Sequence, residues 1–320
     1  IKTTPMFHTA RPILRSLALV ALIISLISCK DQGEAGFIGK SKEKERPVEK
    51  AKNPLSQDFK RYWYAGKAEI TSYDLEQARY GEMRNGSAVL IFVTEPFLAD
   101  RQVKPDRSGP DDISVLKLNS TKNFLTGIYP YSIMNSSFYP VHDNQHAIKL
   151  TASVQEWCGQ VFTQLNNRAD FDINSFSYFE SEGDRSIKLD KTHLENEIWN
   201  RIRINPDRLP MGKISIIPSL EYLRLAHKEI KAYEAVAELH VGPEYNMYSI
   251  NYPALERTLT IRFSNTFPYG IEGWSESSKN GSGPDAKILT TTAKRIKTLM
   301  QAYWQENKNT DVFLRDSLGL

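Results

Sequence analysis

From Lys67 onward, apolar and β-branched residues alternate with polar ones in short runs broken by Gly, Asn, Asp and Pro, the two-residue period of half-buried strands. The cleanest unit runs from Ala68 to Tyr80, through Arg84-Asn85-Gly86-Ser87, and on from Ala88 to Thr94. Asn-Gly between apolar runs predicts a type I′ hairpin turn, because both central residues of that turn need positive φ. Further strands are predicted over Val115 to Leu118, Gly127 to Phe138, Ala147 to Glu156, Trp157 to Leu165, Phe171 to Phe179, Lys213 to Ile217, Lys231 to Val241, Met247 to Asn251, Thr258 to Phe263 and Ile271 to Ser275. Their short connections favour an antiparallel meander.

One helix is signalled from about Thr192 to Arg203. Thr192 and Glu195 have the spacing of a capping box, Leu194, Ile198 and Ile202 repeat at helical intervals, and Pro206 stops the run. Lys287 to Trp304 fits either a Thr-rich strand or a helix face through Ile296, Leu299, Met300 and Tyr303, with the strand preferred, and Asn309 to Leu318 reads as a short terminal helix. The expected fold class is therefore mainly β, an antiparallel meander forming a curved, partly closed barrel or a sandwich, with one or two covering helices. The carriers that localise lipoproteins are a precedent for the barrel version, by analogy of fold alone. No repeat and no Pro- or Gly-rich linker divides residues 53–320, which are expected to form one domain.

The first 28 residues follow a different pattern. Arg11 and Arg15 precede a run from Leu17 to Ile27 that is apolar except for Ser25, too short to span a hydrocarbon core of roughly 30 Å. A basic region, a short apolar region and small residues make a secretory signal. Its end, Leu26-Ile27-Ser28-Cys29, resembles the lipobox of bacterial lipoproteins and makes Cys29 the expected lipid-attachment site. Met6 is the expected natural start, so the first five residues are not expected to be translated. Residues 29–52 read as a charged tether, since Lys30 to Lys50 holds six basic and five acidic residues and few apolar ones. The expected address is the cell envelope, anchored in a membrane, with the outer membrane favoured and the periplasmic or surface side open.

Removing the signal also removes Lys2, Arg11 and Arg15 from the 41 basic residues, leaving 38 against 38 acidic ones. A balanced chain lacks the basic footprint of a nucleic-acid binder.

Tyr62-Trp63-Tyr64-Ala65-Gly66-Lys67-Ala68-Glu69-Ile70, Ile91-Phe92-Val93-Thr94-Glu95, Gly127-Ile128-Tyr129-Pro130-Tyr131-Ser132-Ile133-Met134 and Val154-Gln155-Glu156-Trp157-Cys158-Gly159 resemble a family of lipoproteins from flavobacteria and other Bacteroidota. Members often carry the name "septum formation inhibitor Maf". The Ser-x-Ser-x-Arg-Arg phosphate turn of the cytoplasmic Maf nucleotide pyrophosphatases is not present in this sequence. The resemblance implies an exported, lipidated protein and brings no catalytic residue with it.

Candidate chemistry is sparse. With Cys29 committed to a thioether, Cys158 has no disulfide partner, and a thiol-dependent hydrolase or acyltransferase can be written with His142 or His146 as base. The competing reading packs Cys158 in a strand as a small hydrophobe. His142-Asp143-Asn144-Gln145-His146 has metal-ligand spacing if helical, but Pro140 and Asp143-Asn144 favour a loop without a third ligand. Glu180, Glu182 and Asp184 form an acidic loop, solvated by default. The aromatic clusters Tyr62-Trp63-Tyr64, Tyr129-Pro130-Tyr131, Phe138-Tyr139 and Phe267-Pro268-Tyr269 could line a groove or plug the ends of a barrel. No Walker A, His-Glu-x-x-His, Gly-x-Ser-x-Gly or dinucleotide-binding motif occurs, and no metal or cofactor is expected. The leading expectation is a non-catalytic module for a hydrophobic ligand or an envelope partner protein, held at the membrane. Its inner barrel face is expected to be apolar.

Overall fold

Alternation of side-chain facing dictates strands here, and the computed structural model contains them over residues 54–320, Asn144 and Ser282 excepted. The expected signal, Cys29 and the expected tether lie outside the described residues. The chain opens with helix α1 (Gln57–Trp63), capped by the Ser56 hydroxyl, which accepts the Phe59 amide. A meander follows: β1 (Ala68–Arg79), β2 (Glu82–Leu98), β3 (Asp112–Thr126), β4 (Tyr129–Pro140), β5 (Lys149–Glu156), β6 (Gly159–Asn167), β7 (Phe171–Ser177) and β8 (Arg185–Leu189). A two-residue β9 (His193–Leu194) leads into α2 (Glu195–Ile204), then β10 (Gly212–Ile217) and α3 (Leu220–Leu225). The second meander is β11 (Tyr233–His240), β12 (Tyr245–Tyr252), β13 (Arg257–Ser264), β14 (Ile271–Asn280) and β15 (Lys287–Gln301), before the terminal α4 (Phe313–Leu318).

All of these strands belong to one sheet, because β15 pairs antiparallel with β1 and so joins the two meanders. The order runs from β8 down to β1, then from β15 down to β9, with only the β9–β10 pair parallel. The two edges, β8 and β9, are separated in sequence by residues 190–192 alone, so Leu189 and His193 are at most about 14 Å apart. The sheet therefore curls almost round on itself without closing. Strand twist drives the curvature, and register shifts at Ser72/Tyr73 opposite β15 and at Arg262/Phe263 opposite β14 sharpen it. Of the two expected architectures this is the curved, partly closed one.

The concave face holds the main core. Leu90 and Phe92 of β2, Leu116 and Leu118 of β3, and Tyr248 and Ile250 of β12 meet Phe59 and Trp63 of α1, Ile198 and Ile202 of α2 and Leu220 and Leu223 of α3. The convex face carries a smaller cluster, where Leu318 of α4 covers Ala68, Ile70 and Val93.

Several local expectations are corrected. The first hairpin turns at Tyr80-Gly81, both with positive φ (55° and 78°), between the paired residues Arg79 and Glu82. Asn85 and Gly86 lie inside β2, opposite Glu76 and Leu75, where Gly86 serves a close approach: a Cβ there would sit 2.3 Å from the Asn123 carbonyl oxygen. Trp157 and Cys158 form the β5–β6 turn and do not begin a strand. The Thr192 capping box does not form. Thr192 donates instead to the Ser215 carbonyl at 2.5 Å, Leu194 occupies the cap position, and buried ion pairing draws Glu195 inward. Residues 287–301 are a strand, as the Thr-rich reading expects, and α4 falls within the expected terminal helix. Helices α1 and α3 and strand β8 have no counterpart among the elements that the pattern predicts.

Candidate functional site

In an antiparallel meander, alternate turns lie at the same end of the sheet. The β1–β2 turn, the β14–β15 turn, the 3-10 turn Pro253–Leu255 and the end of α3 gather at one end and surround a cleft of about 710 Å³. Three groups hold its walls. Arg79 stacks over the Tyr80 ring (4.2 Å), donates to the Leu225 carbonyl of α3 (2.7 Å) and reaches the Tyr131 hydroxyl (3.1 Å). Asn280 accepts from the Gly81 amide at 2.7 Å and returns a donor to the Ala78 carbonyl. Gln77 donates to Thr291, while its Oε1 is buried without a partner. Tyr222, Leu225, Ala226 and Leu255 give the cleft an apolar side, and Arg79, Lys228, Lys279, Lys287, Glu256 and Asp285 give it a rim of mixed charge.

Behind the cleft lies a smaller chamber of about 50 Å³. Glu221 and Glu276 line both spaces and so stand where the two meet. The chamber is bounded by Trp199 and Trp274, whose rings meet edge to face at 5.3 Å, by Leu90, Leu118 and Leu259, and by polar side chains. Lys122 of β3 binds Glu221 at 2.8 Å, and Asn135 of β4 donates to the other oxygen of Glu221 at 2.8 Å. Arg257 of β13 forks onto Glu195 with bonds of 2.5 and 2.7 Å and gives its Nε to Glu276 at 2.8 Å. Tyr252 adds a hydroxyl to Glu195 at 2.6 Å. Burial alone would push the Glu276 carboxyl up, yet the Arg257 guanidinium and the Lys122 ammonium hold it below the ordinary carboxylate range. Asn135 Oδ1 and Ser137 Oγ, on side chains 8% and 3% exposed, have no hydrogen-bond partner. The expectation of an apolar inner face thus fails in this band: inward positions carry Lys122, Asn135, Arg257 and Glu276, because the helices bring Glu195 and Glu221 to pair with them.

The sequence-derived candidates do not converge. Cys158 is exposed in the β5–β6 turn, whereas His142 and His146 lie in the β4–β5 connection at the other end of β5. Eight strand residues at about 3.3 Å each separate them by roughly 25 Å, so the geometry brings together neither Cys–His pair. Glu156 accepts from the Cys158 amide at 2.7 Å, and its hydrogen bond and negative charge push the thiol up, against activation. Nor is Cys158 the buried hydrophobe of the competing reading. His146 instead contacts Glu197 of α2 (3.1 Å), which also accepts the Ala147 amide (2.7 Å), so this imidazole helps hold the lid helix on the sheet. The described residues between His142 and His146 are not helical, with His142 in a turn and the Gln145 amide donating to Asp143, and among the described residues no group of three His, Cys, Asp or Glu side chains could hold a metal. In the acidic loop, Glu182 is occupied by Ser177, Arg224 and His227, and Asp184 by the Ser177 amide. Trp63, Tyr131 and Tyr139 are core residues, and Tyr62 packs edge-on against Phe267 at 5.7 Å, at the end away from the cleft.

The residues lining the chamber escaped the sequence reading, although a signal existed: Leu116, Leu118, Lys122 and Phe124 share one strand face, as do Tyr131, Ile133, Asn135 and Tyr139. A charged residue at an apolar parity position marks such a band. Comparison with known proteins finds no family model, no curated protein and no solved structure that matches this chain.

Proposed function

We propose that this protein is a lipid-anchored, non-catalytic binding module of the cell envelope, which takes a small amphipathic ligand into the end of its curled sheet. The observation that carries the reading is the cleft: about 710 Å³ lies within the usual range of roughly 300–1,000 Å³ for ligand pockets, with an apolar side and a few convergent polar groups. Cys29 and the charged tether supply the anchor in this reading, and the resemblance to Bacteroidota lipoproteins supports the envelope address. Two or more acyl chains, each contributing about 0.8 kcal/mol per buried CH₂, hold a protein on a bilayer stably where one chain is marginal.

Two measurements test it. Cys29→Ala should move the protein from the detergent phase to the aqueous phase on extraction, and identical partitioning of both forms overturns the anchor. Native mass spectrometry of protein purified from a membrane-producing host should show a co-purifying amphiphile of a few hundred daltons. Repeated recovery of ligand-free protein overturns the ligand reading.

A second reading, docking of an envelope protein, is favoured by one feature. The hairpin ends on the cleft side carry exposed Tyr80, Leu125, Ile128, Trp157 and Tyr178 on successive hairpins. Exposed apolar residues gathered along one edge are a common mark of an interaction surface.

A further inference from the structure

The proposed binding reading leaves the chemistry of the ligand open, and the inner chamber narrows it. Its wall and the partners of its wall residues contain three carboxyl groups, Glu195, Glu221 and Glu276, against two cations, Lys122 and Arg257. The carboxyls are not equally committed. Glu195 receives both arms of the Arg257 fork and the Tyr252 hydroxyl, and Glu221 receives Lys122 on one oxygen and Asn135 on the other. Among the described residues Glu276 receives one hydrogen bond, from the Nε of an Arg257 guanidinium it shares with Glu195, while the Lys122 ammonium acts on it only through space. An excess of negative charge in a space sheltered from water is costly unless a cation joins it.

Two further observations agree in sign. Asn135 Oδ1 and Ser137 Oγ are buried, line the chamber and lack partners; an amide oxygen can only accept, so it asks for a donor. The second is the aromatic wall. Trp274 already faces a cation, with Lys122 Nζ 5.9 Å from its ring centre, and Trp199 stands beside it. Indole faces favour cations, and the preference grows when the pair is shielded from water. An anion would meet Glu221, Glu276 and an amide oxygen at this place, and a plain hydrocarbon would leave Asn135 Oδ1, Ser137 Oγ and the second oxygen of Glu276 without a donor. The chamber volume, about 50 Å³, accommodates a head group and no chain, while the cleft beyond Glu221 and Glu276 has room for one.

We propose that the inner chamber seats a protonated primary amine, the head group of an amphipathic ligand whose apolar portion lies in the outer cleft. An ammonium group has three donors, matched by the free oxygen of Glu276, Asn135 Oδ1 and Ser137 Oγ. The proposal rests on the cleft being a ligand site, and the test separates the two.

The experiment is calorimetric titration of the full chain, as the unlipidated Cys29→Ala form, with octylamine, octanol and octanoate at pH 7.5, where an alkyl ammonium with a pKa near that of lysine, about 10.4, is protonated. The three probes share a chain and differ in the head. Octylamine is expected to bind at least tenfold more tightly than octanol, and octanoate more weakly than either. Glu276→Gln, checked for folding by circular dichroism, should bring octylamine and octanol to within about twofold of each other, and Ser137→Ala, which leaves every ion pair in place, should weaken octylamine several-fold and by a larger factor than octanol. If wild-type protein binds octylamine and octanol alike, or prefers octanoate, the amine inference is overturned while the ligand reading stands. If none of the three probes binds, both are overturned.

Discussion

Breaking the ion pair between the sheet and the lid helix should be among the most damaging single changes in this protein. Arg203 of α2 forks onto Glu69 of β1 with bonds of 2.5 and 2.6 Å and gives its Nε to the Pro268 carbonyl at 2.9 Å. The two side chains are 0% and 5% exposed, and the guanidinium lies 4.7 Å from the Phe92 ring and 4.9 Å from that of Trp63. Glu69→Gln leaves the guanidinium buried with no counter-charge, and Arg203→Met strands the carboxylate; each is expected to cost about 3–5 kcal/mol. That is a large part of the roughly 5–15 kcal/mol that holds a typical domain together. The double variant Glu69→Met with Arg203→Met should recover most of the loss, because both charges then escape desolvation. Urea unfolding at pH 7, followed by tryptophan fluorescence and by far-UV circular dichroism, measures all three.

The same pair has a pH signature. Burial alone would raise the Glu69 carboxyl, but Arg203 and the Tyr62 hydroxyl more than offset it and hold the carboxyl below its ordinary value. A carboxyl depressed in the folded state contributes stability that is fully present above the unfolded pKa of about 4.3 and is lost as the pH falls through the lower folded value. The wild type should therefore lose stability more steeply than Glu69→Gln below about pH 4.3. Single variants that each cost less than about 1 kcal/mol, or a double variant whose loss equals the sum of the singles, refute the reasoning.

Two further outcomes are expected. Gly86→Ala should destabilise by about 1–3 kcal/mol, since its methyl group would meet the Asn123 carbonyl oxygen of the neighbouring strand, whereas the exposed Asn85→Ala should stay within about 0.5 kcal/mol; comparable losses at both positions would restore the turn to Asn85-Gly86. Cys158 should react with iodoacetamide in the folded protein, with a pH midpoint above the roughly 8.5 of a free thiol, and Glu156→Gln should lower that midpoint; rapid labelling in mildly acidic buffer would instead point to an activated thiolate.

Strand content and chain order were legible because the two-residue alternation is a local property. Tyr73, Leu75 and Ala88, Leu90, Phe92 declare their inward face without reference to any other segment, and the strand from Lys287 was recoverable from its threonines. The wrong turn shows where local rules stop. Asn85-Gly86 satisfies the type I′ rule at both positions and the Tyr80-Gly81 that is actually used satisfies it only at its glycine, so the choice between them rests on which register buries Leu75 and Leu90 together in the main core. A non-glycine residue at positive φ is held there by its surroundings, here the Arg79 and Tyr131 contacts to Tyr80.

Long-range pairing lay beyond the sequence altogether. Nothing local says that β15 returns to β1 rather than closing on β8, yet that one pairing makes a single curled sheet and sets a cleft between the β1–β2 and β14–β15 turns. The buried charges follow the same rule. Lys122 in a strand, Glu195 in a helix and Glu221 in a six-residue helix each look like solvated surface residues, since the cost of burying a charge is met only by a partner up to 99 positions away. By itself the sequence determined most of the strands and the helix over the sheet. Tertiary structure decided which faces meet, and with them the polar chamber, because ion pairs and cavities are properties of contacts between distant segments.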